Sequence, residues 1–373
     1  MTASEHRIAG IEVSHHRLIL DPPFLPSWDT RPRGHFDATL VRVTTDTGLV
    51  GIGSGDAMVG FAAYEDLFIG CDPLALERHY EVLSHISFHA GRCWPLDLAL
   101  WDLAGKIMGQ PCWKVLGGLS GRVRAYASCG AVHHAASLAD AAQRFAGEGF
   151  AAMKVRFAGG DWRGGVRALE AVRERLGDRM ELMVDCNQGW RQPWDTAAPW
   201  TLKDAVTVAR ALEPLGVYWM EEPLHRADRA GLAALRRMTD LRIAGGEMNR
   251  ELSEFRDLIV EGCLDVLQPD VALAGGITGL RRVAVMAREH GLMFTPHTWT
   301  NGIGVIANAH LAAGLAGSPF LEFPYDPPHW TLERRDFLMV HPVEVDAEGW
   351  INLGLAPGFG IEVDEQQAAR TRL

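Results

Sequence analysis

From about residue 123 onward, short apolar segments alternate with longer amphipathic segments, and no other feature of the sequence constrains the fold as strongly. A short apolar run is typical of a buried strand, and apolar residues spaced three or four apart are typical of a helix. Repeated strand–helix units predict a parallel α/β barrel, because parallel strands need a crossover connection. The predicted strands are RAYASCG, AAMKVRF, ELMVDCN, VYWMEEP, LRIAGGE, LDVLQPD, GLMFTPH and FLEFP.

The N-terminal third of the chain follows a different pattern, which predicts a separate domain or a cap on the barrel. Residues 8–60 contain apolar runs divided by turn residues and predict strands, whereas residues 61–116 have helical spacing. Between the first strands, the Pro-rich stretch DPPFLPSWDTRPRGH predicts an exposed loop. The segment after about residue 340 is again strand-like and can return to the first domain.

Charge and cysteine usage limit the partners that we expect. The 373-residue chain has a net charge of −11, and binding of nucleic acid or an anionic membrane would require clustered cations, so neither is expected. No uncharged apolar run reaches the length of a membrane span, and the N-terminus lacks a signal-peptide core. The six cysteines are dispersed without a C-x-x-C pair, which predicts reduced thiols in a cytoplasmic protein.

Polar side chains stand at the carboxyl ends of the predicted barrel strands, where barrel enzymes place their active sites. The steps 185→221→247→270→297→322 are 36, 26, 23, 27 and 25 residues, about one strand–helix unit each. The side chains are therefore predicted to converge at one mouth of the barrel. They are Lys154, Arg156, Asp185, Asn187, Glu221, Glu222, Glu247, Asp270, His297 and Glu322.

Three carboxylates on consecutive strands, Asp185, Glu221 and Glu247, offer an all-oxygen ligand set. A single acid at a strand end is more often a surface or capping residue, but three in register favour a metal site. Hard oxygen ligands suit Mg²⁺, which keeps coordination positions open for a substrate. Glu222 adjoins one of these acids and is expected to support the ligands rather than to bind the ion.

The remaining strand-end residues predict proton-transfer chemistry on an anion. Lys154 and Arg156 alternate on one strand and point to the same face, beside the predicted metal. A carboxylate at Asp270 can fix the tautomer of the His297 imidazole, which makes this histidine a candidate general base. Glu322 is expected to donate a hydrogen bond to the developing oxyanion if its carboxyl group stays protonated.

Further residues carry weaker indications. Candidates for the wall of a substrate pocket are Trp28, Met58, Asn187 and Trp299. Two histidine pairs have no metal-ligand spacing and are expected to be solvated, namely His15-His16 and His133-His134.

Taken in their order along nearly the whole chain, these motifs resemble the enolase superfamily, in its mandelate racemase and muconate-lactonizing branch. They are DLALWDLAGKIMGQPCWKVLGG, K-V-R, DCNQGW, WMEEP, AGGE, LQPD and TPHTW. The resemblance implies a (β/α)₇β barrel of the TIM type over residues 123–340. It also implies an α+β capping domain formed by residues 1–122 and completed by residues 341–373. Loops near residues 15–35 and 53–62 would cover the barrel mouth, and by analogy the chain would form a homo-oligomer.

The resemblance also assigns roles to the strand-end residues. Mg²⁺ would be held by the three acids, Lys154 would contact the substrate carboxylate, and His297 would be the base, oriented by Asp270. This places the chain with mandelate racemase and the acid-sugar dehydratases, because the muconate-lactonizing enzymes have a lysine where Asp270 stands. Many relatives have a second basic lysine at the position of Arg156, and a guanidinium stays protonated. The site therefore offers one clear base.

We predict that His297 removes the proton next to the carboxylate of a small anionic hydroxy acid. Mg²⁺, Lys154 and Glu322 would stabilise the developing charge. Loss of the β-hydroxyl group of an acid sugar would then give a 2-keto-3-deoxy acid. A racemase or epimerase and a lactone cycloisomerase are the nearest alternatives, since they share the first step. A non-catalytic sugar-acid binder and an unrelated metal-dependent barrel enzyme, such as an aldolase, are more distant ones.

Overall fold

A computed structural model describes residues 6–157, 160–191, 197–315 and 318–373. The N-terminal part consists of an antiparallel sheet of β1 (Ile8–Phe24), β2 (Arg33–Thr45) and β3 (Val50–Gly55), in that spatial order. A 3₁₀ helix and three α-helices follow, namely Phe61–Leu67, α1 (Leu76–Ile86), α2 (Trp94–Ile107) and α3 (Cys112–Val115). Helix α2 packs on this sheet, where its backbone approaches Gly51 and Gly53 so closely that a Cβ atom at either position would clash.

The second part is a curled parallel sheet in which strands alternate with helices. Its strands are β4 (Arg122–Ser128), β5 (Ala152–Arg156), β6 (Glu181–Asp185), β7 (Val217–Glu221), β8 (Arg242–Gly245), β9 (Val266–Leu267), β10 (Met293–Phe294) and β11 (Leu321–Pro324). Its helices are α4 (Ala135–Gly147), α5 (Trp162–Leu176), α6 (Leu202–Leu212), α7 (Arg229–Met238), α8 (Leu252–Val260), α9 (Gly276–Glu289) and α10 (Gly302–Leu315), with 3₁₀ turns at Gly177–Arg179 and Glu213–Leu215.

The strand order of this sheet is β10-β9-β8-β7-β6-β5-β4-β11. The last strand, β11, therefore pairs with the first, β4, as Leu321 lies beside Ala125 and Pro324 beside Ser128. Such pairing of the chain-terminal strands curls the sheet toward a barrel and brings the carboxyl ends of all its strands to one side. The predicted α/β fold class is confirmed.

Side chains along these strands alternate between two environments. Outward-facing residues such as Met153 and Val155 pack against the surrounding helices in the largest apolar cluster. Inward-facing residues form a smaller apolar layer within the curl, consisting of Tyr126, Ala152, Met183, Trp219, Ala244, Val266 and Phe320. Two residues further along most of these strands, the inward positions are polar, as at Lys154 after Ala152; in β8 the residue two positions after Ala244 is Gly246. This layer excludes water beneath the polar side chains and forms the floor of the site.

The C-terminal segment differs from the strand-like structure that we expected. Helix α11 (Leu332–Arg335) precedes this segment, whose described residues contain β12 (Trp350–Asn352) and a further helix, α12 (Glu365–Thr371). The short β12 pairs antiparallel with β4 rather than with the N-terminal sheet. Helix α12 instead packs on that sheet, where Nδ1 of His16 donates a hydrogen bond to the Ala368 carbonyl at 3.0 Å. The Pro and Gly residues of the tail interrupt longer pairing.

The exposed loop predicted from DPPFLPSWDTRPRGH is shorter than expected, because its ends belong to β1 and β2. The ladder continues past an irregularity to the pair Phe24–Arg33. Phe24 is buried, with its ring centroid 5.2 Å from that of Trp330 and 6.1 Å from that of Trp299. Edge strand β1 tolerates its prolines because it is paired on one side only, which leaves residues 25–32 as the connecting loop.

None of the helices in the described ranges is both long and apolar enough to cross a membrane.

Candidate active site

Three carboxylates converge at the carboxyl ends of β6, β7 and β8. Asp185 and Glu221 are the last residues of their strands, and Glu247 follows β8 by two residues. Ligand oxygens from all three lie within 4.8 Å of one another, and all three residues are buried. Oε2 of Glu247 is inaccessible to solvent and has no hydrogen-bond partner among the described residues.

This arrangement fits a divalent cation. Burial, together with the carboxylates of Asp185, Glu322 and Glu247, raises the pKa of Glu221 to about 8 against the opposing charge of Lys154. Like-charged buried groups are costly unless a cation compensates them. The unpartnered oxygen of Glu247 is a further ligand atom directed at the same point. Oxygen-only donors match Mg²⁺ better than softer metals.

Two cations from β5 lie beside the acids. Nζ of Lys154 is 2.5 Å from Glu221 Oε1, 2.8 Å from Glu322 Oε1 and 3.7 Å from Asp185 Oδ2. Burial alone would lower the pKa of Lys154, but the charges of Glu221 and Glu322 raise it above its usual value. Arg156 pairs with Asp185, and its pKa is likewise raised. Both side chains therefore stay protonated and are unsuited to accept a proton.

His297 is the titratable group with the character of a base. Its Nδ1 donates to Asp270 Oδ2 at 3.0 Å, while Asp270 Oδ1 accepts from Asn308 Nδ2 at 2.8 Å and from the Ala272 amide at 2.9 Å. This network leaves Nε2 of His297 directed toward the acids, 3.7 Å from Glu247 Oε2. Burial would lower the pKa of His297, but Glu247, Glu322 and Asp270 together raise it to about 9.

Glu322 lies among hydrogen-bond donors and beside the ammonium group of Lys154. Its carboxyl oxygens accept hydrogen bonds from the Ser128 hydroxyl at 2.7 Å and from the Thr298 amide at 2.8 Å. Burial would raise the pKa of Glu322, but Lys154 and the other nearby cations lower it to about 2. Glu322 is thus an acceptor that holds Lys154, and these surroundings favour its ionised form; its donation to an oxyanion stays a prediction. A carboxylate surrounded by donors has no reason to retain its proton.

Aromatic side chains flank the cations. The Arg156 guanidinium lies 4.8 Å from the ring centroid of Trp28 and 5.7 Å from that of Trp299. Asn187 has φ 49°, a left-handed conformation that asparagine tolerates, and its Oδ1 accepts from the Ser27 hydroxyl at 3.1 Å. The loop of residues 25–32 is therefore docked against the ends of β5 and β6.

The structure does not bring every candidate into this pocket. Met58 is buried in the apolar cluster of the N-terminal part and lines a separate cavity of about 860 Å³, whose lining includes none of the strand-end acids or bases. Glu222 has φ 45°, which turns its side chain out of the three-carboxylate group and against Gly189. Burial, and next the charge of Glu247, raise the pKa of Glu222 well above its usual value.

Two of the histidines that we expected to be solvated are not. His16 is buried under the C-terminal helix, as described above. Nε2 of His133 bonds to Asp326 Oδ1 at 2.9 Å, while the other oxygen of Asp326 accepts from the amides of Gly130 and Ala131. Cys129, His133 and Asp326 are close enough to hold a metal. These hydrogen bonds already use both carboxylate oxygens, so the group is sufficiently explained as a brace for the turn after β4.

Several neighbours of the site were not singled out from the sequence. Nε2 of Gln268 donates to Glu221 Oε2 at 2.7 Å, Asn308 supports Asp270, and Ser128 holds Glu322. Gln268 stands two residues before Asp270, and Ser128 ends β4, so strand alternation could have indicated both. Asn308 lies within α10, whose apolar sequence offered no such signal.

Comparisons with known proteins agree with this geometry. Residues 137–367 match the family described as "Enolase C-terminal domain-like". The chain is 30% identical to the 3,6-anhydro-alpha-L-galactonate cycloisomerase of Streptomyces coelicolor, over 90% of this chain and 91% of that protein. It is also 30% identical to the L-talarate/galactarate dehydratase of Salmonella typhimurium, over 83% of this chain and 74% of the relative.

A solved structure gives the same result at the level of the whole fold. The L-talarate dehydratase of Polaromonas sp. JS666, complexed with Mg and L-glucarate, superimposes with a TM-score of 0.82 at 28% identity. The match covers 99% of this chain and 98% of that one. The family match spans more than half of the chain, and the first relative covers nine-tenths of it. The chain therefore belongs to the enolase superfamily, among the relatives of mandelate racemase and the acid-sugar dehydratases.

Proposed function

We propose that this chain is a Mg²⁺-dependent lyase that removes the proton next to the carboxylate of an acid sugar and expels the β-hydroxyl group, giving a 2-keto-3-deoxy acid. One observation carries the proposal: His297, hydrogen-bonded to Asp270, directs Nε2 toward a group of three buried carboxylates. The acid-sugar dehydratases and cycloisomerases among its relatives support the same substrate class.

Mg²⁺ would be held by Asp185, Glu221 and Glu247, whose oxygens provide a hard ligand set. When bound, the ion supplies a Lewis acid that polarises the substrate carboxylate and offsets the negative charge that develops as the proton leaves. Lys154, held protonated by Glu221 and Glu322, lies beside these acids. It can therefore donate a hydrogen bond to the same carboxylate.

His297 carries both proton transfers in this proposal. Nε2 takes the α-proton, and the electron pair of the C–H bond forms a carbon–carbon double bond as the bond to the β-hydroxyl oxygen breaks. The imidazolium then returns the proton to the departing oxygen, which leaves as water, and the enol tautomerises to the keto acid. Glu247 is the largest contributor to the raised pKa of His297. Neutralising the charge of Glu247 therefore lowers the pKa of His297 toward the range in which the imidazole is unprotonated and can act as a base.

The protonation states favour elimination over inversion. A racemase or epimerase needs proton carriers on both faces of the α-carbon. Lys154 and Arg156 have raised pKa values, and Arg156 cannot release a proton at neutral pH. Of the described residues around the three carboxylates, His297 alone has the chemistry of a base, so the site is suited to a reaction that proceeds on one face.

A lactone or anhydro-sugar cycloisomerase is the second candidate, favoured by the near full-length match to such an enzyme. It would use the same proton abstraction, but the departing oxygen would stay tethered to the sugar. The two reactions differ in mass, because dehydration releases one water and cycloisomerisation releases none. Mass spectrometry and ¹H NMR of the product therefore separate them.

Broader features complete the proposal. We place the boundary between a capping domain and a TIM-type barrel at residues 122/123, with residues 341–373 completing the cap; α12 packing on β1 supports this division. We propose that the protein is cytoplasmic, which its six free cysteines support. The proposal that it forms a homo-oligomer rests on its family alone.

The decisive experiment is a panel of mono- and dicarboxylic acid sugars and their lactones, incubated with the enzyme and Mg²⁺ in deuterated water. We expect keto-acid formation with the wild type and neither product nor α-deuterium exchange with His297→Asn. His290→Asn, which changes an exposed histidine at the end of α9, is the matched control and should behave as the wild type. Full exchange in His297→Asn would rule out the assigned base.

A further inference from the structure

The Arg156 guanidinium has an unusual set of contacts. Its Nε donates to the Cys129 carbonyl at 3.1 Å, and Nη1 bonds to Asp185. Nη2 is buried and has no hydrogen-bond partner among the described residues, and Glu322 Oε1 at 3.9 Å is beyond hydrogen-bond distance. An unused donor of a buried cation is costly, so we expect it to be satisfied when the site is filled.

Two indole rings flank this guanidinium in addition to its contacts with Cys129 and Asp185. Trp28 and Trp299 are in edge-to-face contact, with ring centroids 4.9 Å apart, and the guanidinium is within 6 Å of both. The Trp299 ring is itself fixed by a hydrogen bond from Nε1 to the Ser128 hydroxyl at 2.9 Å. Trp28 belongs to the loop of residues 25–32, and Trp299 likewise lies outside the strands and helices, between β10 and α10.

The loop that carries Trp28 is attached to the ends of the parallel strands. The Ser27 amide donates to the Gly130 carbonyl at 2.7 Å, and its hydroxyl donates to Asn187 Oδ1 at 3.1 Å. On the outer side, the Arg33 guanidinium lies 5.9 Å from the Trp28 ring centroid and pairs with Asp29. The indole is thus held between an exposed arginine and the buried Arg156.

We propose that Trp28 is a positioning residue: together with Trp299 it holds Arg156 so that the unpaired Nη2 donates to a hydroxyl or carboxylate oxygen of the bound acid sugar. This inference rests on the proposed function and deepens it. The guanidinium group is planar, and when it stacks on an aromatic ring its N–H groups stay in its own plane and point beyond the edge of the ring. The loop therefore acts on the substrate through Arg156, and displacement of Trp28 releases the donor.

A double-mutant cycle tests this coupling. Trp28→Ala should lower kcat/KM about 10- to 100-fold, the scale of a misplaced contact, whereas Trp28→Phe, which keeps an aromatic face, should retain most activity. In an Arg156→Met background, Trp28→Ala should have little further effect. Trp162→Ala removes another Arg–Trp contact, that with Arg163 at 4.2 Å, and should leave kcat/KM unchanged. Equal fold-losses from Trp28→Ala in both backgrounds would overturn the inference, since Trp28 would then act independently of Arg156.

A second measurement needs no substrate and does not use the Arg156 variant, so it tests the inference even if that variant fails to fold. In protein labelled with ¹⁵N-arginine, the Nε–H signal of Arg156 should shift and broaden in Trp28→Ala and stay near its wild-type position in Trp28→Phe. An unchanged signal in Trp28→Ala would refute the positioning role. If the wild type transforms no acid sugar but the signal moves, the proposed function and the donation to an acid sugar fail together. If turnover is normal and the signal is unmoved, the positioning role alone fails.

Discussion

Replacing Asp270 with asparagine should block the reaction through the tautomer of His297. Oδ1 of Asp270 accepts from Asn308 Nδ2 and the Ala272 amide, so the amide oxygen of an asparagine must occupy that place. The new NH₂ group then faces Nδ1 of His297, which must accept rather than donate. The proton moves to Nε2, the nitrogen that the proposed mechanism requires to be free.

The size of the effect follows from the same contacts. To restore the tautomer with Nε2 unprotonated, the side-chain amide of Asn at position 270 must flip. Its NH₂ group then faces the two donors, Asn308 Nδ2 and the Ala272 amide. Each stranded buried donor costs about 1–3 kcal/mol, or about 2–6 kcal/mol in all. At about 1.4 kcal/mol per factor of ten, α-proton exchange should fall between roughly 30-fold and 10⁴-fold.

The assay is α-deuterium exchange into the acid sugar by ¹H NMR, with folding checked by circular dichroism. Asp270→Ala is the informative comparison, because an alanine has no side-chain donor or acceptor facing Nδ1 of His297. The imidazole can then carry its proton on either Nδ1 or Nε2. Asparagine, the closer isostere, should therefore be the more damaging change. Exchange in Asp270→Asn within threefold of the wild type, or a larger loss in Asp270→Ala that is still folded, would contradict the tautomer argument.

Three further predictions follow from the site. Glu247→Gln should weaken Mg²⁺ binding by at least about 10-fold in calorimetry. The same change should lower the pKa of His297 measured by NMR, because Glu247 contributes most to raising that pKa. An unaltered pKa of His297 would contradict this electrostatic role of Glu247. In metal-free protein, the pKa of His297 is raised from 6.5 to about 9, so its protonation contributes stability that is present below pH 6.5 and is lost as pH rises through about 9. The difference in unfolding free energy between the wild type and His297→Asn should therefore shrink over that range by up to about 3 kcal/mol in urea titrations; a constant difference would disprove it. Gly130→Ala places a Cβ atom against the rings of Trp299 and Phe24. This clash should cost about 1–3 kcal/mol of stability and lower the Tm. An unchanged Tm would show that the two rings move aside without a loss of stability.

Much of the site could be predicted because strands impose a simple geometry. The carboxyl ends of parallel strands meet on one side, so Asp185, Glu221 and His297 could be placed together without knowing any side-chain contact. Alternation along β5 likewise put Lys154 and Arg156 on the same face. The sequence-based argument worked where position along a strand alone decides what a side chain meets.

It did not succeed where the outcome depends on neighbours from distant parts of the chain. Glu322 accepts hydrogen bonds from Ser128 and Thr298 and pairs with Lys154, and these three residues come from different segments of the chain. Met58 lies in a loop whose left-handed backbone, with φ 51°, turns its side chain into the N-terminal apolar cluster. No spacing rule reports such turns or such networks.

The segment after α12 is joined to the first strand: the Leu373 amide donates to the His15 carbonyl at 2.9 Å, and Arg372 forms a β-bridge with His16. During synthesis, β1 emerges from the ribosome long before these partners exist. The edge of β1 can therefore be covered here only after residues 372 and 373 have been synthesised, and until then it offers open backbone groups to other chains.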